Sequence, residues 1–212
     1  MDAPATRDRL LAAAERLFAK GGEEATSLRA VTREAEANVA AVHYHFGGRD
    51  GLLREVLNRH IAPINTRRRE LVAAAQARVA APALADIVDA FVRPDLETLA
   101  ELRQTEPQMA RFIGRAYSQP STAVAAAAAE QFAATAHTFT PLLADQLPHL
   151  ADDELRTRLD LVVGIITGLF ARANPTGQAP PLDTEDLDEQ ARRLTAFIVG
   201  ALSAPATRDD LR

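Results

Sequence analysis

The sequence predicts an all-α protein of about nine helices, and three observations support this fold class. Alanine, the residue with the highest intrinsic helix propensity, occupies 44 of the 212 positions. Apolar residues recur at spacings of three and four along most of the chain, and no segment has the alternating pattern of a strand. Glycine pairs and prolines separate these periodic segments. We therefore expect helices joined by short turns.

The first 48 residues predict three helices with the spacing of a helix-turn-helix motif. The first helix carries one apolar stripe formed by Leu10, Ala13, Ala14, Leu17 and Phe18. The expected N-caps of the three helices are Thr6, then Thr26 or Ser27, and then Asn38. The expected ends are Gly21-Gly22, Ala35 and Gly47-Gly48.

The remaining helices are longer and end at proline, glycine or polar clusters. We expect them at 49–80 with a kink or break at Pro63, 83–103, from Pro107, from Ser121 to about Thr138, 152–173, and from Thr184 to about Ser203. This pattern predicts two domains. Residues 1–48 form the helix-turn-helix domain, and residues 49–212 form a larger helical domain.

Composition excludes several classes of protein. The absence of cysteine removes disulfide frameworks and thiolate metal sites, and we expect neither a metal nor a cofactor. The five histidines form no HExxH pair, and neither GxSxG nor a glycine-rich phosphate loop occurs, so the sequence gives no support to an enzyme. No signal peptide and no apolar stretch of membrane-spanning length is present, so we expect a soluble, cytoplasmic protein.

Net charge alone does not predict nucleic-acid binding. The formal charge is −5 for the whole chain, while residues 1–60 carry nine basic and nine acidic residues. Binding to DNA would therefore depend on the local placement of arginine.

Residues 27–49 read SLRAVTREAEANVAAVHYHFGGR, and here the sequence resembles the TetR family of bacterial transcriptional regulators. The resemblance covers residues 6–57: an amphipathic first helix ending in glycine, the Ser27-Leu28-Arg29 start of the second helix, and the aromatic end of the third. It implies an operator-binding helix-turn-helix domain followed by a domain for effector binding and dimerisation. No enzymatic activity is implied.

Ten residues are candidates for contacts to double-stranded DNA. Small side chains at Val39, Ala40 and Ala41 would let the third helix enter the major groove. Asn38, Tyr44, His45 and Arg49 can donate to phosphates, and the resemblance adds Arg29 and His43, with Ser27 at a helix N-terminus. Alternatively, Arg29 is a solvated surface charge. Val42 and Phe46 are expected in the core, and His43 and His45 are too close in sequence to chelate one metal.

Two positions depart from the family pattern. Glu36 occupies the helix-turn-helix turn, where family members usually have glycine, and a left-handed conformation there would cost about 1 kcal/mol. Gly48 stands where a serine cap is common, which is a slightly weaker cap.

The resemblance implies a homodimer formed by the last two helices. The candidate interface residues are Leu161, Ile165, Gly168, Leu187, Ala191, Leu194 and Ile198. The helix containing Leu161 is apolar on two sides, which favours a partner on one of them. The alternative is a helix fully buried within a monomer.

The central helices are expected to bind a small effector. The large apolar candidates are Phe91, Met109, Phe112, Tyr117, Phe132 and Phe170, with ordinary core packing as the alternative for each. The segments NVAAVHYHF and Pro63-Ile64-Asn65 are similar to those of family members that respond to fatty acids or acyl-CoA. The resemblance thus implies a repressor that an apolar effector releases from DNA. The competing hypothesis is a helical adaptor that has lost DNA binding.

Overall fold

The structure is a computed structural model, and it describes residues 3–79, 81–172 and 186–206. In this part of the chain all regular structure is helical, which confirms the predicted fold class and helix count. The nine helices are α1 (Ala3–Ala25), α2 (Leu28–Glu34), α3 (Val39–Phe46), α4 (Arg49–Arg78), α5 (Leu84–Thr105), α6 (Pro107–Ser118), α7 (Thr122–Gln146), α8 (Asp152–Ala171) and α9 (Leu187–Leu202). None of these described helices combines the length and apolarity that crossing a bilayer requires.

Several helix boundaries differ from the prediction. Thr6 is wrong as an N-cap because α1 begins at Ala3, which places Thr6 inside the helix with only 8% of its surface exposed. Helix α7 continues past Thr138 to Gln146, through Pro141. Helix α4 likewise continues through Pro63. The boundaries expected at Ala80, Ala173 and Thr184 lie outside the described residues.

The described chain divides into two compact units. The first contains residues 3–63, 101–130 and 167–172. In it, α1 packs against α2, α3 and α6. The ring of Phe18 stacks on that of Phe112, with centroids 5.6 Å apart and planes 10° from parallel. The helix-turn-helix segment therefore shares its core with α6, although α6 lies far from it in the sequence.

The second unit contains residues 64–79, 81–100, 131–166 and 186–206. A buried ion pair joins α4 to α5, with Arg68 Nη2 2.5 Å from Asp95 Oδ2. The end of α9 is held by Arg158 of α8, whose guanidinium donates to the carbonyls of Ala201, Leu202, Ala204 and Pro205. These contacts satisfy carbonyls that a helix end would otherwise leave without donors.

Candidate nucleic-acid interface

The N-caps fix where α2 and α3 begin. The backbone N–H of Ala30 donates to Ser27 Oγ at 3.2 Å, and that of Ala41 donates to Asn38 Oδ1 at 2.8 Å. Both caps have extended backbones, as an N-cap requires. The prediction that Ser27 and Asn38 are N-caps is confirmed. Both residues are exposed, so the helix starts are open to solvent.

The turn between α2 and α3 contains a strained residue. Glu36 has φ 50°, and among the described residues it is the one non-glycine with positive φ. The left-handed region costs a residue with a Cβ about 1–2 kcal/mol relative to its ordinary conformations. Two hydrogen bonds hold the turn, from the N–H of Glu36 to the Arg33 carbonyl and from that of Ala37 to the Thr32 carbonyl. The sequence therefore retains this turn geometry without the usual glycine.

Helix α3 separates an inner face from an outer one. Val42 is fully buried, whereas Tyr44 is 82% exposed and Val39 39% exposed. Ala40 and His43 are exposed as well, and Ala41 and His45 are half-buried. The ring of Tyr44 meets that of His45 edge to face at 4.9 Å. The core position predicted for Val42 is confirmed. Phe46 is half-buried, with the guanidinium carbon of Arg7 5.4 Å from its ring centroid.

Helix α2 carries two exposed cations. Arg29 is exposed, as the DNA-binding prediction requires, and Arg33 one turn later is exposed too. Neither arginine forms an ion pair with another described residue. Arg33 was not among the sequence candidates, although its i,i+4 spacing from Arg29 places both on one helix face.

Arg49 has a different environment from the one expected. Its Nε donates to the Thr26 carbonyl at 3.3 Å, and its Nη2 donates to the Glu23 carbonyl. The guanidinium also lies 3.4 Å from the Glu23 carboxylate and 6.0 Å from the ring centroid of Phe18. These contacts tie the start of α4 to the end of α1. They give Arg49 a structural role that the prediction of a phosphate contact did not include.

Glycines set the connection between α3 and α4. Gly47 ends α3 in the left-handed conformation, with φ 73°. At Gly51 an added Cβ would lie 1.7 Å from the carbonyl oxygen of Phe46. Only a residue without a side chain fits there. The orientation of α3 relative to the start of α4 therefore depends on glycine at position 51.

The residues predicted for a dimer interface fall into two groups. Ala191, Leu194 and Ile198 are at most 9% exposed, so these three side chains pack in the core of their own chain. Leu161 is 65% exposed, and Ile165, Gly168 and Leu187 are half-buried. Phe197, which was not among the candidates, is 63% exposed on α9.

The residues predicted for effector binding are spread over both units. In the first unit, Met109, Phe112 and Phe170 are buried, and burial raises the pKa of Tyr117 to about 12. Gly114 brings α6 against the end of α8, because its Cβ would lie 2.0 Å from the backbone nitrogen of Ala171.

In the second unit the two remaining candidates have different environments. The ring of Phe91 meets that of Phe139 edge to face at 5.2 Å, and Arg68 lies 4.3 Å from the Phe91 ring centroid. Phe132 is 37% exposed. Among the described residues, no three His, Asp or Glu side chains are grouped as a metal site requires.

Solved structures with this fold are numerous. A transcriptional regulator from Pseudomonas aeruginosa PAO1 is 16% identical over 96% of this chain and 93% of its own, with a TM-score of 0.67. A TetR-family regulator from Streptomyces coelicolor is 22% identical, with coverages of 95% and 97% and a TM-score of 0.56. PfmR, a TetR-family regulator from Thermus thermophilus, is 17% identical, with coverages of 91% and 98% and a TM-score of 0.58. At these identities the likeness is one of fold.

Family models match both ends of the chain. Residues 10–56 match the model described as bacterial regulatory proteins of the TetR family. Residues 89–201 match that of the tetracycline-repressor-like C-terminal domain, which alone spans more than half of the chain. No curated protein sequence gives a significant match. With both models matched in order, the chain belongs to the TetR family of bacterial transcriptional regulators.

Proposed function

We propose that this protein is a homodimeric repressor that binds operator DNA through α2 and α3 and is released by a small apolar effector. The observation that carries the proposal is the outer face of α3, where Val39, Ala40, His43 and Tyr44 are exposed while Val42 anchors the helix in the core. Small and apolar groups at the helix start suit base edges and thymine methyls, and the polar side chains suit phosphates.

Local charge supports the same surface. Arg29 and Arg33 have no acidic partner among the described residues, so both remain available for phosphates. The nearby carboxylate of Glu34 is neutralised by Arg16, whose Nε lies 2.7 Å from it. An acidic chain can thus offer cationic groups where DNA would approach. Helix N-termini capped by Ser27 and Asn38 add backbone N–H groups that favour an anion.

A homodimer would use the face of α8 and α9 that one chain leaves open. Leu161 and Phe197 are large apolar side chains that are more than half exposed, and Gly164 and Gly200 are exposed on the same two helices. A two-fold dimer presents two recognition helices to half-sites about 34–36 Å apart or a multiple of that distance. The core residues Ala191, Leu194 and Ile198 are not part of this proposed interface.

The effector is proposed as apolar, with fatty acids or acyl-CoA as the first class to screen. The support is the sequence resemblance and the number of apolar side chains in the central helices, such as Met109 and Phe170. Release needs only an effector that binds one arrangement of the protein better than the arrangement that fits DNA.

The test is fluorescence anisotropy with labelled DNA from directly upstream of the protein's own coding region, at about 50 and 200 mM salt and with excess competitor DNA. The wild type should bind in a competitor-resistant and salt-sensitive manner. The double variant R29A/R33A should bind more weakly and lower the salt slope by about two. R192A, which removes an exposed arginine from α9, is the matched control and should behave like the wild type.

Two outcomes would contradict the proposal. Unchanged affinity and salt slope in R29A/R33A would remove α2 from the DNA-binding surface. A wild type that binds no DNA at either salt concentration would favour the helical adaptor, for which the acidic Glu36 in the strained turn is the motivating feature.

A further inference from the structure

Two mostly buried side chains, Glu15 of α1 and His60 of α4, face each other in the first unit without a hydrogen bond between them. His60 Nε2 is 3.5 Å from Glu15 Oε1, and both side chains are only 15% exposed. Both atoms are inaccessible to solvent, and neither has a hydrogen-bond partner among the described residues. Two groups that could satisfy each other therefore lie close together without forming a hydrogen bond.

The surroundings of this pair are simple. The other carboxylate oxygen of Glu15 accepts from Arg59 Nη1 at 3.3 Å. Within the described part of the chain, Arg59 is the one further charged group that interacts with either Glu15 or His60. A buried donor and acceptor that stay apart cost free energy, and native proteins rarely keep such groups without a use for them. A shift of about half an ångström would bring the two atoms to an ordinary hydrogen-bond distance.

The position of the pair connects it to the DNA-binding surface. Helix α1 packs on both α2 and α3, so the position of α1 affects the two helices proposed to bind DNA. Helix α4 follows α3 directly and is tied to α1 at its start by Arg49 and within its first two turns by the ion pair of Arg7 with Glu55. Glu15 and His60 lie on the same two helices, where Arg59 already donates to Glu15 while the hydrogen bond between Glu15 and His60 is not formed.

We propose that Glu15 and His60 are positioning residues for DNA binding, and that their hydrogen bond closes when the protein binds its operator. In the closed state His60 Nε2–H donates to Glu15 Oε1 and fixes α1 on α4 in the arrangement that fits the major groove. In the free protein the pair stays open, as the structure has it. This inference rests on the proposed DNA-binding role of α2 and α3.

The first measurement is the ¹⁵N NMR spectrum of the histidine rings, free and with the operator fragment added. Closure predicts a new, slowly exchanging proton on Nε2 of His60 in the complex and its absence in the free protein. H60Q identifies the resonance, since it removes this ring alone. An identical His60 ring signal in both states would overturn the proposal.

The second measurement is a double-mutant cycle of operator affinity. E15A and H60A should each bind about tenfold more weakly, and E15A/H60A no more weakly than either single variant, because each removes the same hydrogen bond. E15Q keeps the acceptor oxygen and should stay close to wild-type affinity. E70Q, which breaks the exposed pair of Arg67 and Glu70 on α4, is the control.

Thermal unfolding of the same variants separates positioning from simple packing. The coupling between Glu15 and His60 should appear in operator affinity and be absent from the stability of the free protein, where the bond is open. Additive effects on affinity, or equal coupling in affinity and stability, would overturn the proposal. The proposed function would still stand in that case, provided that the wild type binds operator DNA. A wild type that binds no operator would overturn both.

Discussion

At the scale of single residues, hydrogen bonds decide whether an arginine holds the fold or contacts DNA. Arg49 donates to the carbonyls of Glu23 and Thr26, whereas Arg29 and Arg33 form no ion pair among the described residues. From the sequence, all three are basic residues near a helix end. Their different roles depend on the fold of the α1–α2 connection, which a local pattern does not specify.

Replacing Arg49 should therefore reduce stability. R49A removes the side-chain donor to the Thr26 carbonyl and one of two donors to the Glu23 carbonyl, and should lower the free energy of unfolding by about 1–2 kcal/mol. R49K keeps the charge but not the fork that spans two carbonyls, so it should be destabilised as well. Y44A should unfold like the wild type yet bind operator more weakly, because Tyr44 is 82% exposed. Thermal unfolding measures the loss of stability expected for the Arg49 variants, and fluorescence anisotropy measures the loss of affinity expected for Y44A. A fully stable R49A or R49K would return Arg49 to the phosphate-contacting set.

Glu36 has a strained backbone, which lowers stability, and a negative charge, which should weaken DNA binding. E36G should relieve the left-handed strain, offset in part by the extra entropy of glycine in the unfolded chain, for a net gain of several tenths of a kcal/mol. It should also strengthen DNA binding by removing a carboxylate from the turn before α3. E36Q separates the two effects, since it removes the charge and keeps the strain. It should improve affinity while leaving the unfolding temperature unchanged. Equal behaviour of E36G and E36Q in unfolding would show that φ 50° is not strained here.

At the scale of helices, the sequence predicts the boundaries of the short helices α2 and α3 better than those of the longer helices. Ser27 and Asn38 cap α2 and α3 where the pattern placed them, because an N-cap is a local property of a few residues. Thr6 failed as a cap and α7 continued to Gln146. Packing against other helices can extend a helix beyond its local signals, and a single sequence does not reveal that packing.

The cluster that joins α4, α5 and α7 could not be predicted from helical periodicity. Arg68 donates to the Phe91 carbonyl, to Asn65 Oδ1 and to Asp95, and Thr135 donates to the same Asn65 oxygen. Arg68 and Asp95 are 6% and 7% exposed. Truncating either partner would leave a buried charge, so D95A should cost about 3–5 kcal/mol.

Asp95 should also make stability depend on pH. Burial raises the pKa of Asp95, and the attraction of Arg68 lowers it by less. A carboxyl whose pKa is higher in the folded state contributes stability that is fully present below the unfolded pKa of about 3.9 and is lost as pH rises through the folded value. The wild type should therefore gain stability relative to D95N between neutral pH and about pH 4. Chemical denaturation of both proteins across this range measures the difference in their free energies of unfolding. If that difference shrinks on acidification, the prediction is contradicted.

At the scale of the whole molecule, an ordered set of residues in the sequence is enough to predict the family. The same residues do not predict in detail which surfaces are buried and which are exposed. Proteins of this family are transcription factors and not enzymes, which confirms the non-enzymatic prediction. The sequence predicts that the stripe of Ala191, Leu194 and Ile198 faces a partner chain, whereas their own chain covers these side chains in the structure. An apolar stripe has the same appearance in sequence whether its own chain or a second copy covers it.

Exposure now identifies which face of α8 and α9 should form the dimer. L161R and F197R place a charge on side chains that are more than half exposed, so each should leave the monomer folded and weaken dimerisation by at least about thirtyfold. V79R is the matched control, because Val79 is 51% exposed at the end of α4 and lies outside this face. Sedimentation velocity measures the association. Because one helix-turn-helix domain makes about half of the DNA contacts that the two domains of a dimer make, operator affinity should fall together with dimerisation. Unaltered association in both L161R and F197R would place the interface elsewhere on the molecule.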